Sequence, residues 1–221
     1  MVVPSGQRVV FMTQTTSDII FLLLVGGKSS RMGEDKAFLP FGKISTFIKI
    51  LIKKISFFKL NFFLSLRKEQ LPRYESMVPK NCFIFDQFEN IQGPLCGLMS
   101  AHHFLTSNYI QYNAIFTLAV DTPSIKMKSI KRLIDRYQEN PNVSGLFYRT
   151  KNGIEPFCAI YNKSTLEEWI QSYYQNPSIE FSLQKRILSL EKTTVLINLP
   201  MEEEFFFQNI NSKKDFELYH R

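Results

Sequence analysis

Short apolar runs that end abruptly at polar residues alternate along this chain with stretches whose apolar positions recur every three or four residues. Ile19 to Val25 is seven consecutive apolar residues ending at Gly26-Gly27. Cys82 to Phe85 closes on Asp86, and Ala114 to Val120, interrupted only by Thr117, closes on Asp121. Runs of this length, bounded by breakers, predict strands buried on both faces and are too short to cross a membrane. Between them, Thr46 to Lys59 carries Phe47, Ile48, Leu51, Ile52, Ile55 and Phe58 at helical spacing, with Lys49, Lys53 and Lys54 expected on the wet side.

The second half keeps the helical rhythm and adds a different strand signal. Ser124 is expected to cap a helix with Met127, Ile130, Ile134 and Tyr137 on one face, ending near Asn140-Pro141. Gly145 to Thr150 and Pro156 to Tyr161 are strand-like and separated by Lys-Asn-Gly, which predicts an antiparallel hairpin. Ser164-Thr-Leu-Glu167 reads as a capping box, and Ser178 as the cap of a helix with Leu183, Ile187 and Leu190 on its apolar side. Polar groups delivered from the carboxyl ends of several strands are where open α/β sheets bind ligands.

The loop after the first strand narrows that ligand. Gly26 and Gly27 allow a tight turn and close approach of backbone to a ligand. Lys28, Arg31 and Lys36 then bring three cations to one loop, a combination suited to phosphate. Counting excludes two familiar phosphate loops: Gly33 is followed by Glu34 where a Walker loop needs Gly-Lys, and Lys28 takes the second glycine of a dinucleotide fingerprint. The order Leu24-x-Gly-Gly-x-x-x-Arg31-Met-Gly-x-Asp35-Lys36 resembles instead the start of the molybdenum cofactor guanylyltransferases, within the nucleotidyltransferase superfamily. Three later segments resemble that family in the same order: Asp86 with Gly93-Pro-Leu-Cys-Gly97, Asp121-Thr-Pro123, and Glu155-Pro156-Phe-Cys-Ala-Ile-Tyr161. Asn209-Ile-Asn211-Ser-Lys-Lys-Asp215 resembles its closing Asn-x-Asn-Thr-Pro-Glu-Asp motif, with Ser212 for Thr and Lys213 for Pro.

The resemblance implies a three-layer α/β/α sandwich, with a Rossmann-like, mostly parallel sheet and a C-terminal antiparallel hairpin. It implies transfer of GMP from GTP to Mo-molybdopterin, giving the guanine dinucleotide cofactor and pyrophosphate. In that scheme Asp121 holds Mg²⁺, Lys36 and Arg31 neutralise the nucleotide phosphates, and Lys28 assists them. Leu24, Val25, Gly26 and Gly27 line the nucleotide through backbone atoms. Asp86 faces the guanosine, while Glu155, Pro156, Asn209 and Asn211 lie toward the acceptor. Where many relatives carry Asn after the second strand, this chain reads Phe62-Phe-Leu-Ser-Leu-Arg67, leaving Ser65 or Arg67 as substitutes.

Bland readings stand beside these. An Asp at a strand end is commonly a turn former or helix cap, and a Lys/Arg cluster is commonly a solvated face. Asn209 and Asn211 are as well suited to tying down a strand end as to orienting an acceptor, since buried Asn needs partners in either role. Competing functions are a related transferase, such as a molybdopterin cytidylyltransferase, and a non-catalytic nucleotide-binding or cofactor-delivery module.

Composition changes this picture little. The 221 residues suit one nucleotidyltransferase domain over 19–221, with residues 1–18 expected as a poorly ordered extension lacking secretory-signal features. A net charge of +7 fits anionic ligands, and the absence of zinc-finger, RNA-binding or basic-zipper patterns argues against nucleic acid. Three cysteines without metal-like spacing read as reduced thiols of a cytoplasmic protein. His102 and His103 fit satisfied or surface positions rather than a metal site. Transient contact with molybdoenzymes, their chaperones or other cofactor-biosynthesis proteins follows from the family role, and no membrane is implied.

Overall fold

The structure, a computed structural model, describes residues 19–26, 35–88, 90–91, 93–176, 182–190, 193–211 and 215–217. The expected extension over 1–18, Gly27, Lys28, Arg31 and Ser178 therefore lie outside the described residues.

The apolar runs become the centre of a seven-stranded sheet. Its strands are β1 (Ile19–Leu24), β4 (Phe62–Leu66), β5 (Phe83–Phe85), β6 (Ala114–Ala119), β7 (Gly145–Thr150), β8 (Gly153–Asn162) and β9 (Thr194–Asn198), while β2 (Pro40–Phe41) and β3 (Ser45–Thr46) form a small separate ribbon. The order across the main sheet is β5-β4-β1-β6-β8-β7-β9. Neighbours run parallel except β8, which is antiparallel to both β6 and β7.

Both faces of β1 are buried, and its side chains alternate between two cores. Ile19, Phe21, Leu23 and Val25 join one cluster with α1 (Phe47–Ser56) and α4 (Met127–Glu139). Ile20, Leu22 and Leu24 join the other with α3 (Pro94–Ser107), α5 (Lys163–Gln175) and α6 (Leu183–Leu188). A remaining short helix, α2 (Leu71–Tyr74), follows β4. Helices on both faces of the sheet make the three layers expected from the sequence, and the period-two alternation is what places them.

Several local expectations are corrected. Helix α4 starts at Met127 with Lys126 as its cap, because the chain is still turning at Ser124 and Ile125 donates back to the Thr122 carbonyl. Asn162, rather than Ser164, caps α5: its side chain accepts from the Ser164 amide at 3.1 Å. Lys54 is not on the wet face of α1. Its ammonium donates to the carbonyls of Pro123 (2.5 Å) and Ile125 (2.7 Å), stapling the helix to the turn after Asp121. Burial, with Lys126 nearby, pulls its pKa down to about 8.

The acidic run Glu202–Glu204 sends one of its side chains into the interior. Glu203 is fully buried. It accepts from both Arg132 guanidinium nitrogens (2.7 and 3.2 Å), from Ser129 Oγ (2.7 Å) and from Lys128 (2.9 Å). Burial works to raise its pKa, but these hydrogen bonds prevail and bring it down to about 2. The bonds fasten the 3-10 segment Met201–Phe207 to α4, just ahead of the Asn209–Asn211 segment.

Candidate active site

A cleft of about 540 Å³ opens at the carboxyl ends of β5, β4, β1 and β6. Leu24, Val25 and Gly26 line one wall. Asp35, Lys36, Ser65, Arg67, Asp86 and Asp121 supply polar groups, and Gly93, Pro94, Cys96 and Gly97 bring in the start of α3.

Each polar group is fixed by its own supports. Asp35 accepts from the Ala37 amide (3.1 Å), Tyr74 hydroxyl (2.8 Å) and Gln70 amide (3.2 Å), and so acts as the anchor that orients Lys36 beside it. Lys36 Nζ lies 2.5 Å from Asn211 Oδ1 and 3.4 Å from Asp121 Oδ2. Ile210 N donates to the Asp121 carbonyl at 2.9 Å, laying the Asn209–Asn211 segment along the turn after β6. Asn211 N in turn donates to Asp215 Oδ2 at 3.0 Å. Of the two roles weighed for the Asn pair, the segment has the structural one, tying down the turn after β6, and Asn211 in addition touches Lys36.

Two oxygens here, Asp121 Oδ1 and Asn209 Oδ1, are buried and have no hydrogen-bond partner among the described residues. Burial pushes the Asp121 carboxyl up, with Lys36 opposing it. A cation would satisfy an orphaned carboxylate oxygen, so the donor chemistry fits a hard metal ion. Among the described residues there is no group of three or more His, Cys, Asp or Glu that could hold a metal.

Glu155 is the second unusual acid. Burial raises its pKa to about 7, against hydrogen bonds from the Phe157 and Cys158 amides and with the charge of Asp121 adding to the rise. It sits at a bulge: Leu146 pairs with Ile160 but Tyr148 with Glu155, so extra residues of β8 loop out between them. Pro156 occupies that bulge, where a residue without an N–H is tolerated, and its carbonyl accepts from Tyr161 Oη (2.8 Å) and Thr117 Oγ1 (3.3 Å). The bulge puts Phe157, and neither Glu155 nor Pro156, on the cleft wall.

Part of the backbone on this wall is already engaged. The amides of Val25 and Gly26 both donate to the Ser65 carbonyl (3.0 Å), and the Leu24 carbonyl accepts from Val120 N. These atoms hold β1 to its neighbours rather than standing free for a ligand.

Gly97 is required by close packing. A Cβ there would lie 2.4 Å from Ser65 Oγ and 3.1 Å from a Leu24 methyl, so the first turn of α3 can approach β4 only without a side chain. Cys96 is buried and its thiol is raised by burial, while His102 is a buried histidine satisfied by Tyr112, its pKa lowered by burial to about 4. Ile91 and Phe157 line the cleft without having been assigned a role from sequence, and Arg67 lines it as one of the two substitutes named for the missing Asn. Arg67 was already visible as a candidate at the polar end of the second strand, whereas Phe157 required the bulge.

Residues 21–188 match the MobA-like NTP transferase domain. The chain belongs to this family. As a nucleotidyltransferase it resembles the molybdenum cofactor guanylyltransferase of Helicobacter pylori, with 29% identity over 211 residues, 89% of each chain. A probable molybdenum cofactor guanylyltransferase of Carboxydothermus hydrogenoformans is 29% identical over 203 residues, covering 88% of this nucleotidyltransferase and 91% of the relative. The fold is shared with the crystal structure of molybdopterin-guanine dinucleotide biosynthesis protein A from Archaeoglobus fulgidus. The TM-score is 0.68 at 21% identity, over 90% of this chain and 95% of that one.

Proposed function

We propose that this nucleotidyltransferase is a molybdenum cofactor guanylyltransferase, joining GMP from GTP to Mo-molybdopterin and releasing pyrophosphate. The observation that carries the reading is the meeting of Lys36, Asp121 and Asn211 at one end of a cleft built on parallel strand ends, in a chain whose curated relatives carry that name.

The reaction is an in-line attack by an acceptor phosphate oxygen on the α-phosphorus of GTP. The acceptor is already ionised, so catalysis consists of neutralising and positioning like charges. Lys36 draws in the nucleotide phosphates, and Arg31 joins it by resemblance. Asp121 would hold Mg²⁺ through its unpartnered oxygen, supplying charge compensation at the phosphates. Gly27 belongs to the same phosphate loop, and Leu24 to Gly26 form its base. Asp86 faces the guanosine. Glu155, Asn209 and Asn211 lie on the acceptor side, with Pro156 shaping the bulge there. The domain spans 19–221, works in the cytoplasm and hands its product to molybdoenzymes or their chaperones by transient contact. Among the described residues no helix is long and apolar enough to cross a membrane.

Thermal melting with GTP, CTP, ATP and UTP, each with and without Mg²⁺, tests this. A nucleotide at a hundred times its Kd stabilises the fold by about 2.7 kcal/mol. A GTP-selective shift enhanced by Mg²⁺ is expected, followed by guanylyl transfer to the pterin. A CTP-selective shift redirects the assignment to cytidylyl transfer. No shift with any nucleotide overturns it.

A further inference from the structure

The cleft has two chemically different ends. Lys36 and Asp121 stand beyond β1 and β6, whereas Arg67 and Asp86 stand beyond β4 and β5 on the opposite side of β1. With strands about 4.8 Å apart, Arg67 is roughly two strand spacings and Asp86 three from Asp121. A nucleotide whose phosphates reach Lys36 and Asp121 therefore extends its base toward Arg67 and Asp86. Ile91, Pro94 and Cys96 supply apolar surface at that end.

Arg67 is held at its root and free at its tip. Its amide donates to Gln70 Oε1 (3.0 Å) and its carbonyl accepts from Gln70 N (2.9 Å), while Gln70 reaches on to the Val25 carbonyl and Asp35. Yet Arg67 Nε is buried without a hydrogen-bond partner, and among the described residues the side chain makes no ion pair. A guanidinium kept for structure would be expected to satisfy its buried donor on a carbonyl or carboxylate. Asp86 lies near enough for the Arg67 charge to pull its carboxyl down against the effect of burial, without forming a direct salt bridge. The pair thus presents a donor and an acceptor on the wall of the same cleft.

We infer that Arg67 is the specificity-determining residue of this site: its guanidinium donates to the O6 carbonyl of guanine while Asp86 accepts from the N1–H and N2–H₂ edge of the same base. This rests on the guanylyltransferase reading. Adenine in the same pose offers an amino group to the guanidinium and a bare ring nitrogen to the carboxylate, reversing both matches. Arg67 thereby takes the base contact for which this chain has no Asn at the end of β4.

Calorimetric titration of the full chain with GTP and with 2,6-diaminopurine riboside triphosphate, which replaces the O6 carbonyl by an amino group and with it removes the N1 proton, tests the inference. The wild type should prefer GTP by about 10- to 100-fold, the range of one well-placed bidentate base contact. Arg67→Ala should lose much of that preference by weakening GTP while leaving the analogue nearly unchanged, the remainder being the N1–H contact to Asp86. Arg67→Lys, which keeps the charge but not the fork, should retain part of it and serves if the alanine variant melts. Equal weakening of both nucleotides would assign Arg67 to phosphate attraction and overturn the inference, as would unchanged GTP binding. Failure of the wild type to bind GTP is a separate result, which refutes the guanylyltransferase reading itself.

Discussion

Replacing Glu203 by Gln removes one charge from the buried junction between α4 and the segment leading to Asn209 and Asn211. The carboxylate is 1% exposed and receives bonds from Arg132, Ser129 and Lys128. A fall from 4.5 to about 2 corresponds to roughly 3 kcal/mol in favour of the ionised form in the fold. Arg132 and Lys128 keep 32% and 58% of their side chains exposed, so water screens part of this, and a loss of about 2 kcal/mol is expected. The pH dependence has a definite sign. Because the folded pKa is depressed, the stabilisation is fully present above about pH 4.5 and disappears as pH falls through about 2. Urea unfolding of wild type and Glu203→Gln across that range measures the difference. A gap that stays constant with pH, or is absent at pH 7, would falsify the claim that an ionised Glu203 fastens this junction.

Asp121→Ala should lower turnover on the order of a hundredfold or more, as for loss of one strong electrostatic stabiliser; near-normal guanylyl transfer would remove Asp121 from the metal role. Lys36→Ala should weaken GTP binding in a calorimetric titration, with the analogous effect absent for the free nucleoside. Gly97→Ala places a methyl 2.4 Å from Ser65 Oγ and should cost about 1–3 kcal/mol. Ser65→Gly in the same chain should recover most of that loss in thermal melting.

What the sequence disclosed follows from how far each feature depends on its neighbours. The strands β1, β5 and β6, with the acids that follow two of them, were legible because an apolar run and its terminating residue are local. Lys54 was misplaced because helical periodicity describes one helix alone. The carbonyls that capture its ammonium belong to a turn about seventy residues away. The burial of Glu203 had no signal in its own segment for the same reason, since its partners come from α4. Pro156 and Phe157 needed the bulge in β8, a feature of pairing rather than of composition. Arg67 sat in view, but only the unpartnered Nε distinguishes a base reader from another surface cation.

The bond between Lys36 and Asn211 joins residues 175 positions apart. During synthesis, Lys36 and Asp121 leave the ribosome long before the asparagine that grips the lysine. The four strands that end at the cleft, β1, β4, β5 and β6, all lie before residue 120, whereas the partner of Lys36 is among the last residues made. The bond to Lys36 therefore forms only when the segment past Phe207 lies back along Asp121. A chain trimmed ahead of Asn211 would carry the strands that line the cleft but not this clasp.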